Sequence, residues 1–102
     1  MDLAEKIYKV TKTFPKEERF GITAQMRDCA VSIPSNISEG AGRNSNAQFK
    51  HFLEIAMGSS NELQTQVELS RRLEYLTNEI AVEILDELIQ IFKMILVFYN
   101  TL

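Results

Sequence analysis

The sequence predicts an all-α protein, an antiparallel up-and-down four-helix bundle. Three observations lead there. Glycine and proline are scarce, with four Gly and two Pro in 102 residues. No Asn-Gly or Asp-Gly turn and no sustained apolar–polar alternation marks a hairpin. Apolar residues instead recur at helical spacing in four segments, three long and one shorter, separated by short breaks. The length suits one domain, residues 1–102.

The first helix is expected from about Asp2 to Thr13, where Leu3, Ile7, Val10 and Phe14 mark one face. Pro15 then pushes Phe14 out of helical geometry and can open a second helix, with Glu17 and Glu18 suiting its N-terminus.

That second helix is expected from about Lys16 to Gly40. Ile22, Met26, Cys29, Ile33 and Ile37 recur through "SIPSNISEG", although Pro34 stands in the middle. A mid-helix proline removes one backbone hydrogen bond and crowds the carbonyl four residues back, at ~3 kcal/mol or more. The expected accommodation is a kink at Pro34, with Ser or Asn side chains occupying freed backbone groups. Gly40 or Gly42 is the expected left-handed residue ending the helix.

The third helix starts at Ser45, where "SNAQ" reads as a capping box. Phe49, Leu53, Ala56, Ser60, Leu63 and Val67 line one face, and the helix ends between Arg72 and Tyr75. The small residues Ala56, Gly58, Ser59 and Ser60 let a neighbouring helix come close. The fourth helix follows Thr77, an N-cap residue with Glu79 behind it, and runs to the C-terminus. It carries two adjacent apolar seams. One is Ile84, Leu88, Ile91, Ile95, Phe98 and Leu102; the other is Leu85, Ile89, Phe92, Leu96 and Tyr99. Together they cover about half the circumference, whereas a surface helix needs a stripe only somewhat wider than about 100°. Either the bundle core is wide, or this helix also faces another subunit; scattered exposed apolar residues on a monomer are the plainer alternative.

Composition excludes several classes. Net charge is −3, so no bulk basic field draws the chain to nucleic acid or membrane. Residues 1–73 hold ten Lys/Arg against nine Asp/Glu; residues 74–102 hold one Lys against five acids. A polyanion should therefore avoid the C-terminal segment. The single cysteine, Cys29, rules out an intrachain disulfide. The charged N-terminus has no signal-peptide core, and no apolar run is long enough to span a membrane. A cytoplasmic setting without membrane or cofactor is the expectation.

Catalytic and metal readings find little support. His51 is the only histidine and reads as an exposed helix residue. A paired Glu-x-x-His di-iron site needs two histidines. Cys29 lies on the apolar face and reads as a small core residue. An enzyme using Glu39, Asn36 or Glu62 in a cleft would lack a joint set of nucleophile, base and oxyanion donor.

The polar residues are more informative. Gln25, Asp28, Ser32, Ser35, Asn36, Glu39 and Arg43 share a narrow stripe of the second helix, and Ser59, Glu62 and Gln66 form a flank on the third. Matched seams of this kind can fix register between helices or across a subunit contact, because an unpaired buried polar group costs ~1–3 kcal/mol. A polar-ligand or nucleic-acid face is the other reading. Ser32, Pro34, Asn36, Glu39, Ser59 and Glu62, with Leu85, Ile89, Phe92, Leu96 and Tyr99 of the fourth helix, are the packing and assembly candidates. Basic residues cluster at Lys6, Lys9, Lys12, Lys16 and Arg19. They are scattered at Arg27, Arg43, Lys50, Arg71 and Arg72, which are the phosphate-binding candidates. A symmetric oligomer would repeat each small patch around its axis.

The elements Phe14-Pro15 with Glu18, Gln25-Met26-Arg27, Ser32 to Ile37 with Glu39-Gly40, Phe52-Leu53 with Ala56, Gly58-Ser59 with Glu62-Leu63, and Tyr75-Leu76 run along almost the whole chain. Their combination resembles the four-helix-bundle family named for proteins encoded in intervening sequences of bacterial 23S rRNA genes. The resemblance implies a four-helix bundle that assembles as a ring-like homopentamer, with no enzymatic activity. Relatives include the accessory protein of diversity-generating retroelements, which has a basic surface, binds nucleic acid and engages a reverse transcriptase. An RNA or ribonucleoprotein partner is thereby implied; an oligomeric protein–protein adaptor is the alternative. Departures from the family pattern bear on RNA binding more than on fold: Asp28 follows Arg27 where a second basic residue is common, and Gln64 stands where an acid is usual. The chain also begins without the apolar lead-in to the first helix that the family usually has.

Overall fold

The computed structural model describes residues 2–102. Four α-helices follow one another: α1 (Asp2–Thr11), α2 (Ile22–Ala41), α3 (Asn46–Arg72) and α4 (Asn78–Thr101), with one 3-10 turn at Lys16–Glu18 between α1 and α2. No strand occurs among the described residues. The bundle measures 43 × 24 × 18 Å. At 1.5 Å rise per residue, α3 alone accounts for about 40 Å of the long axis.

The most extensive packing is α2 on α3, followed by α3 on α4 and α1 on α2. Ile7, Met26, Leu53, Leu63, Val67, Ile84 and Leu88 are fully buried, so each helix contributes to one core. Lys6 Nζ closes the remaining side, donating to Glu83 Oε1 at 2.8 Å and Glu87 Oε2 at 3.1 Å on α4. Those bonds raise the Lys6 pKa.

Both expected N-caps are present. Ser45 Oγ accepts from Gln48 N at 3.2 Å, and Thr77 Oγ1 accepts from Ile80 N at 3.2 Å. Each relieves one of the unpaired N–H groups of a first helical turn.

Several boundaries differ from expectation. α1 ends at Thr11, not Thr13. α2 starts at Ile22, not Lys16, because Pro15 opens only a single 3-10 turn. There Glu18 N donates to Pro15 O and Gly21 N to Glu18 O. Gly21 then leaves helical geometry at φ −100°, ψ −121°, and the helical ladder begins from its carbonyl. α2 continues through Pro34 as one helix to Ala41; the expected kink is not established.

Neither Gly40 nor Gly42 takes the left-handed role. No described glycine has positive φ, and Gly42 caps α2 at φ −84°. Gly40 serves close approach instead. A Cβ there would lie 2.8 Å from Phe52 Cβ and 3.0 Å from Phe49 Cδ1. Gly58, expected among the close-packing small residues, faces open space.

The left-handed residue is Glu74, at φ 64°. Tyr75 N donates to Ser70 O at 2.8 Å and Glu74 N to Arg71 O at 3.0 Å. This paired pattern is a Schellman ending, built here without its usual glycine. Next to it, Tyr75 packs on Phe14 with ring centroids 5.3 Å apart and donates to Glu18 Oε2 at 3.0 Å. The α1–α2 and α3–α4 connections are thus tied at one end of the bundle.

α4 shows the anticipated double face. In the first seam Ile84, Leu88 and Ile95 are buried, but Phe98 is exposed, its ring lying 5.2 Å from that of Phe49. In the second seam Leu85, Phe92 and Tyr99 are half-buried, while Ile89 and Leu96 are 42% and 40% exposed. Val82, one heptad before Ile89, is 54% exposed and extends that stripe.

Candidate functional site

Two sets of polar side chains are candidates, the α2–α3 seam and the scattered basic residues. The seam exists because α2 and α3 pack along their lengths while carrying polar residues beside their apolar faces. Ser32 and Ser59 meet across it with hydroxyl oxygens 2.8 Å apart. Asn36 Nδ2 donates to Ser32 O at 2.8 Å and to Ser32 Oγ at 2.9 Å. Asn36 thus bonds a backbone carbonyl near Pro34, but that of Ser32, four residues before Asn36 itself, and not the Ala30 carbonyl that Pro34 leaves without a donor.

Beside this contact lies a notch of 280 Å³ lined by Gln25, Asp28, Cys29, Ser32, Ser59 and Glu62. Cys29 is buried in its wall. Burial pushes its thiol up to about 11, and the neighbouring Glu62 carboxylate adds to the shift, so the sulfur stays protonated near neutral pH. Gln66 also stands beside Cys29. Its side chain is only 7% exposed, and its Oε1 has no hydrogen-bond donor.

The remaining stripe residues separate. Ser35 turns toward a groove between α1 and α2 lined also by Tyr8, Lys9, Lys12 and Val31. Glu39 pairs with Arg43 at 2.6 Å, one turn on, at the exposed end of α2.

The five phosphate-binding candidates are spread over the bundle and engaged locally. Arg27 Nε donates to Thr11 Oγ1 at 2.9 Å and Nη2 to Tyr8 O at 3.3 Å, with the guanidinium 4.7 Å from the Tyr8 ring centroid. It fastens the C-terminal end of α1 to α2. Arg43 lies over Phe52 at 4.8 Å as well as pairing with Glu39. Lys50 lies over Tyr99 at 5.2 Å, and Tyr99 donates to Glu54 at 2.8 Å, which raises the tyrosine pKa.

Arg71 and Arg72 converge on Glu68, at 2.5 and 3.3 Å. The Arg71 hydrogen bond, joined by Arg72, lowers the Glu68 carboxyl to about 2. Only Arg71 and Arg72 are thus brought together, at the C-terminal end of α3, where cations also face the helix dipole favourably. Contacts of Arg27 with Thr11 and Tyr8 were not visible in the sequence, because a polar Thr one turn after Ile7 reads like any surface residue. His51 is exposed as expected and edges onto Phe52, with centroids 5.6 Å apart.

The model of the 23S rRNA-intervening sequence protein family matches residues 1–96. The chain belongs to this family. Among solved structures, this intervening-sequence protein is similar to a protein of unknown function from the S23 ribosomal protein family of Bacteroides thetaiotaomicron VPI-5482. The two share 29% sequence identity and a TM-score of 0.86, over 96% of this chain and 92% of that one. No curated protein matches. Within the family pattern, the fold brings Ser32, Asn36 and Ser59 into contact, as it does Phe14, Glu18 and Tyr75 at one end of the bundle.

Proposed function

We propose that this intervening-sequence protein is a non-catalytic, self-associating four-helix scaffold, with a homopentamer as the favoured assembly and RNA or a ribonucleoprotein as its partner. The observation that carries the self-association is the half-exposed heptad stripe Val82, Leu85, Ile89, Phe92, Leu96 and Tyr99 on α4. Spacings of three and four residues keep such a stripe on one side of a helix, the pattern by which helices pair. Contiguous apolar surface of this kind favours contact with protein over contact with water.

The RNA part rests on the family name and on repetition. One subunit offers small basic patches at Arg27, Arg43, Lys50 and the Arg71–Arg72 pair; a ring multiplies each. Because Arg43, Arg71 and Arg72 already face carboxylates, phosphate has to displace those acids, and binding falls steeply with salt. Filter binding of a 23S rRNA fragment to the intact oligomer tests this. Retention at low salt that weakens with added salt supports it; no retention at low salt with the oligomer intact overturns it.

The same carboxylate pairing favours a second reading, an oligomeric protein–protein adaptor without nucleic acid. Capture of a protein that survives nuclease treatment, together with no RNA retention, decides for the adaptor.

A further inference from the structure

We infer that the groove between α1 and α2 receives the α4 stripe of a second copy of this chain, with the two helices antiparallel. This rests on the self-association proposed above and names the surface that the stripe meets. The groove has a volume of 460 Å³; Ala4, Tyr8 and Val31 give it apolar surface, and Glu5, Lys9 and Lys12 give it charge. Tyr8 and Val31 are 43% and 41% exposed, so the apolar part is left to water in a lone subunit. Glu5, Lys9 and Lys12 take part in no salt bridge among the described residues, whereas Lys6 is held by Glu83 and Glu87 of its own α4.

The two surfaces match in order as well as in sign. On the α1 side, Glu5, Tyr8 and Lys12 follow at steps of three and four residues: acid, aromatic, base. Lys12 lies one residue past α1, where its N–H still bonds Lys9 O at 3.3 Å and continues the turn. On α4, read from its C-terminal end, Lys93, Ile89 and Asp86 follow at steps of four and three: base, aliphatic, acid. Such steps keep each set on one side of its helix, over about 10 Å of length. All six residues are exposed, and neither Asp86 nor Lys93 takes part in a salt bridge among the described residues. Laid antiparallel, Glu5 meets Lys93, Tyr8 meets Ile89, and Lys12 with Lys9 meets Asp86. A parallel arrangement would set Glu5 against Asp86 and Lys12 against Lys93, like charge on like. A polyanion would account for the two lysines but not for Glu5 or the apolar surface; a second copy accounts for all three. The contact joins two different surfaces of the bundle, head to tail, so each subunit uses both and the assembly closes as a ring or runs on as a filament.

Disulfide trapping with diamide tests the pairing. Tyr8→Cys/Ile89→Cys, with its fold checked by far-ultraviolet circular dichroism, gives a ladder of covalent multimers beyond the dimer on a non-reducing gel. Each single variant stays at the mass of one subunit, because the native Cys29 is buried and the contact brings no position against its own copy. Charge exchange gives a second readout by light scattering. Lys12→Glu and Asp86→Lys each weaken association at least threefold, and the two together restore it. A multi-subunit wild type whose Tyr8→Cys/Ile89→Cys form gives no ladder overturns the inference and leaves the scaffold reading standing. A covalent dimer from Ile89→Cys alone also overturns it, since α4 then packs on α4. So does a Lys12→Glu variant that assembles like wild type but loses RNA retention, which gives the groove to a polyanion. A wild type at the mass of one subunit overturns the scaffold reading and this inference together.

Discussion

The hydroxyls of Ser32 and Ser59 stand 2.8 Å apart across the α2–α3 contact. Asn36 Nδ2 donates to the same Ser32 oxygen, which leaves the Ser32 proton free to point at Ser59. The three side chains then form one directed chain of hydrogen bonds, in which each link polarises the next. A double-mutant cycle of Ser32→Ala and Ser59→Ala should give a coupling of about 0.5–1.5 kcal/mol in chemical denaturation. Strict additivity would mean that the contact does not help to hold the two helices in register.

Two glycines should respond in opposite senses. Gly40→Ala places a methyl 2.8 Å from Phe52 Cβ, an atom close to the backbone with little room to move. Overpacking of this kind costs about 1–3 kcal/mol. Gly58→Ala meets nothing within 4 Å inside a helix and should gain up to about 1 kcal/mol from helix propensity. Thermal unfolding of the two variants, side by side, checks both signs.

At the end of α3, Glu74 holds a left-handed backbone at φ 64° that favours glycine. Glu74→Gly should stabilise the fold by about 1 kcal/mol, which raises the melting temperature by roughly 4–8 °C in a domain of this size. An unchanged or lower melting temperature would show that the Glu74 side chain contributes more than its backbone costs.

Cys29 sets an alkaline limit. Burial holds its folded pKa at about 11, above the ordinary thiol value of 9.0. A raised acid pKa means that the unfolded chain loses its proton first. The contribution to stability is therefore complete below pH 9 and is lost as pH rises through the range up to about 11. Cys29→Ala should flatten the fall in stability over that window, and iodoacetamide should label the native thiol slowly at pH 8. Rapid native labelling at pH 8 would contradict the buried, protonated thiol.

Much of this fold was legible because helical periodicity and the caps at Ser45 and Thr77 are local signals. The apolar faces of α1, α2 and α3 needed no tertiary information. What failed was also physical. Pro15 is compatible with a helix start, so the sequence could not distinguish a long helix from the 3-10 turn that stops at Gly21. "EGAGRN" contains glycine, and the left-handed reading was natural. Gly40 is instead required by Phe49 and Phe52, which approach from another helix. Glu74 gave no signal, because a charged residue at a helix end looks like ordinary surface.

In the candidate site, helical spacing placed Ser32, Asn36, Ser59 and Glu62 beside the core, and the two seams do meet. Spacing could not show that Ser35 turns toward α1, that Arg27 is tied to Thr11, or that Gln66 keeps an unpaired oxygen. Each of those depends on how two helices sit together, which one helical wheel cannot express.

Molar mass in solution by light scattering tests the central claim most directly. The scaffold account predicts a whole-number multiple of 11.7 kDa, with five favoured, and a fall toward a single subunit in Ile89→Glu/Leu96→Glu with helical content retained. A wild-type mass of 11.7 kDa across the micromolar range, or a double variant that assembles like wild type, would contradict it.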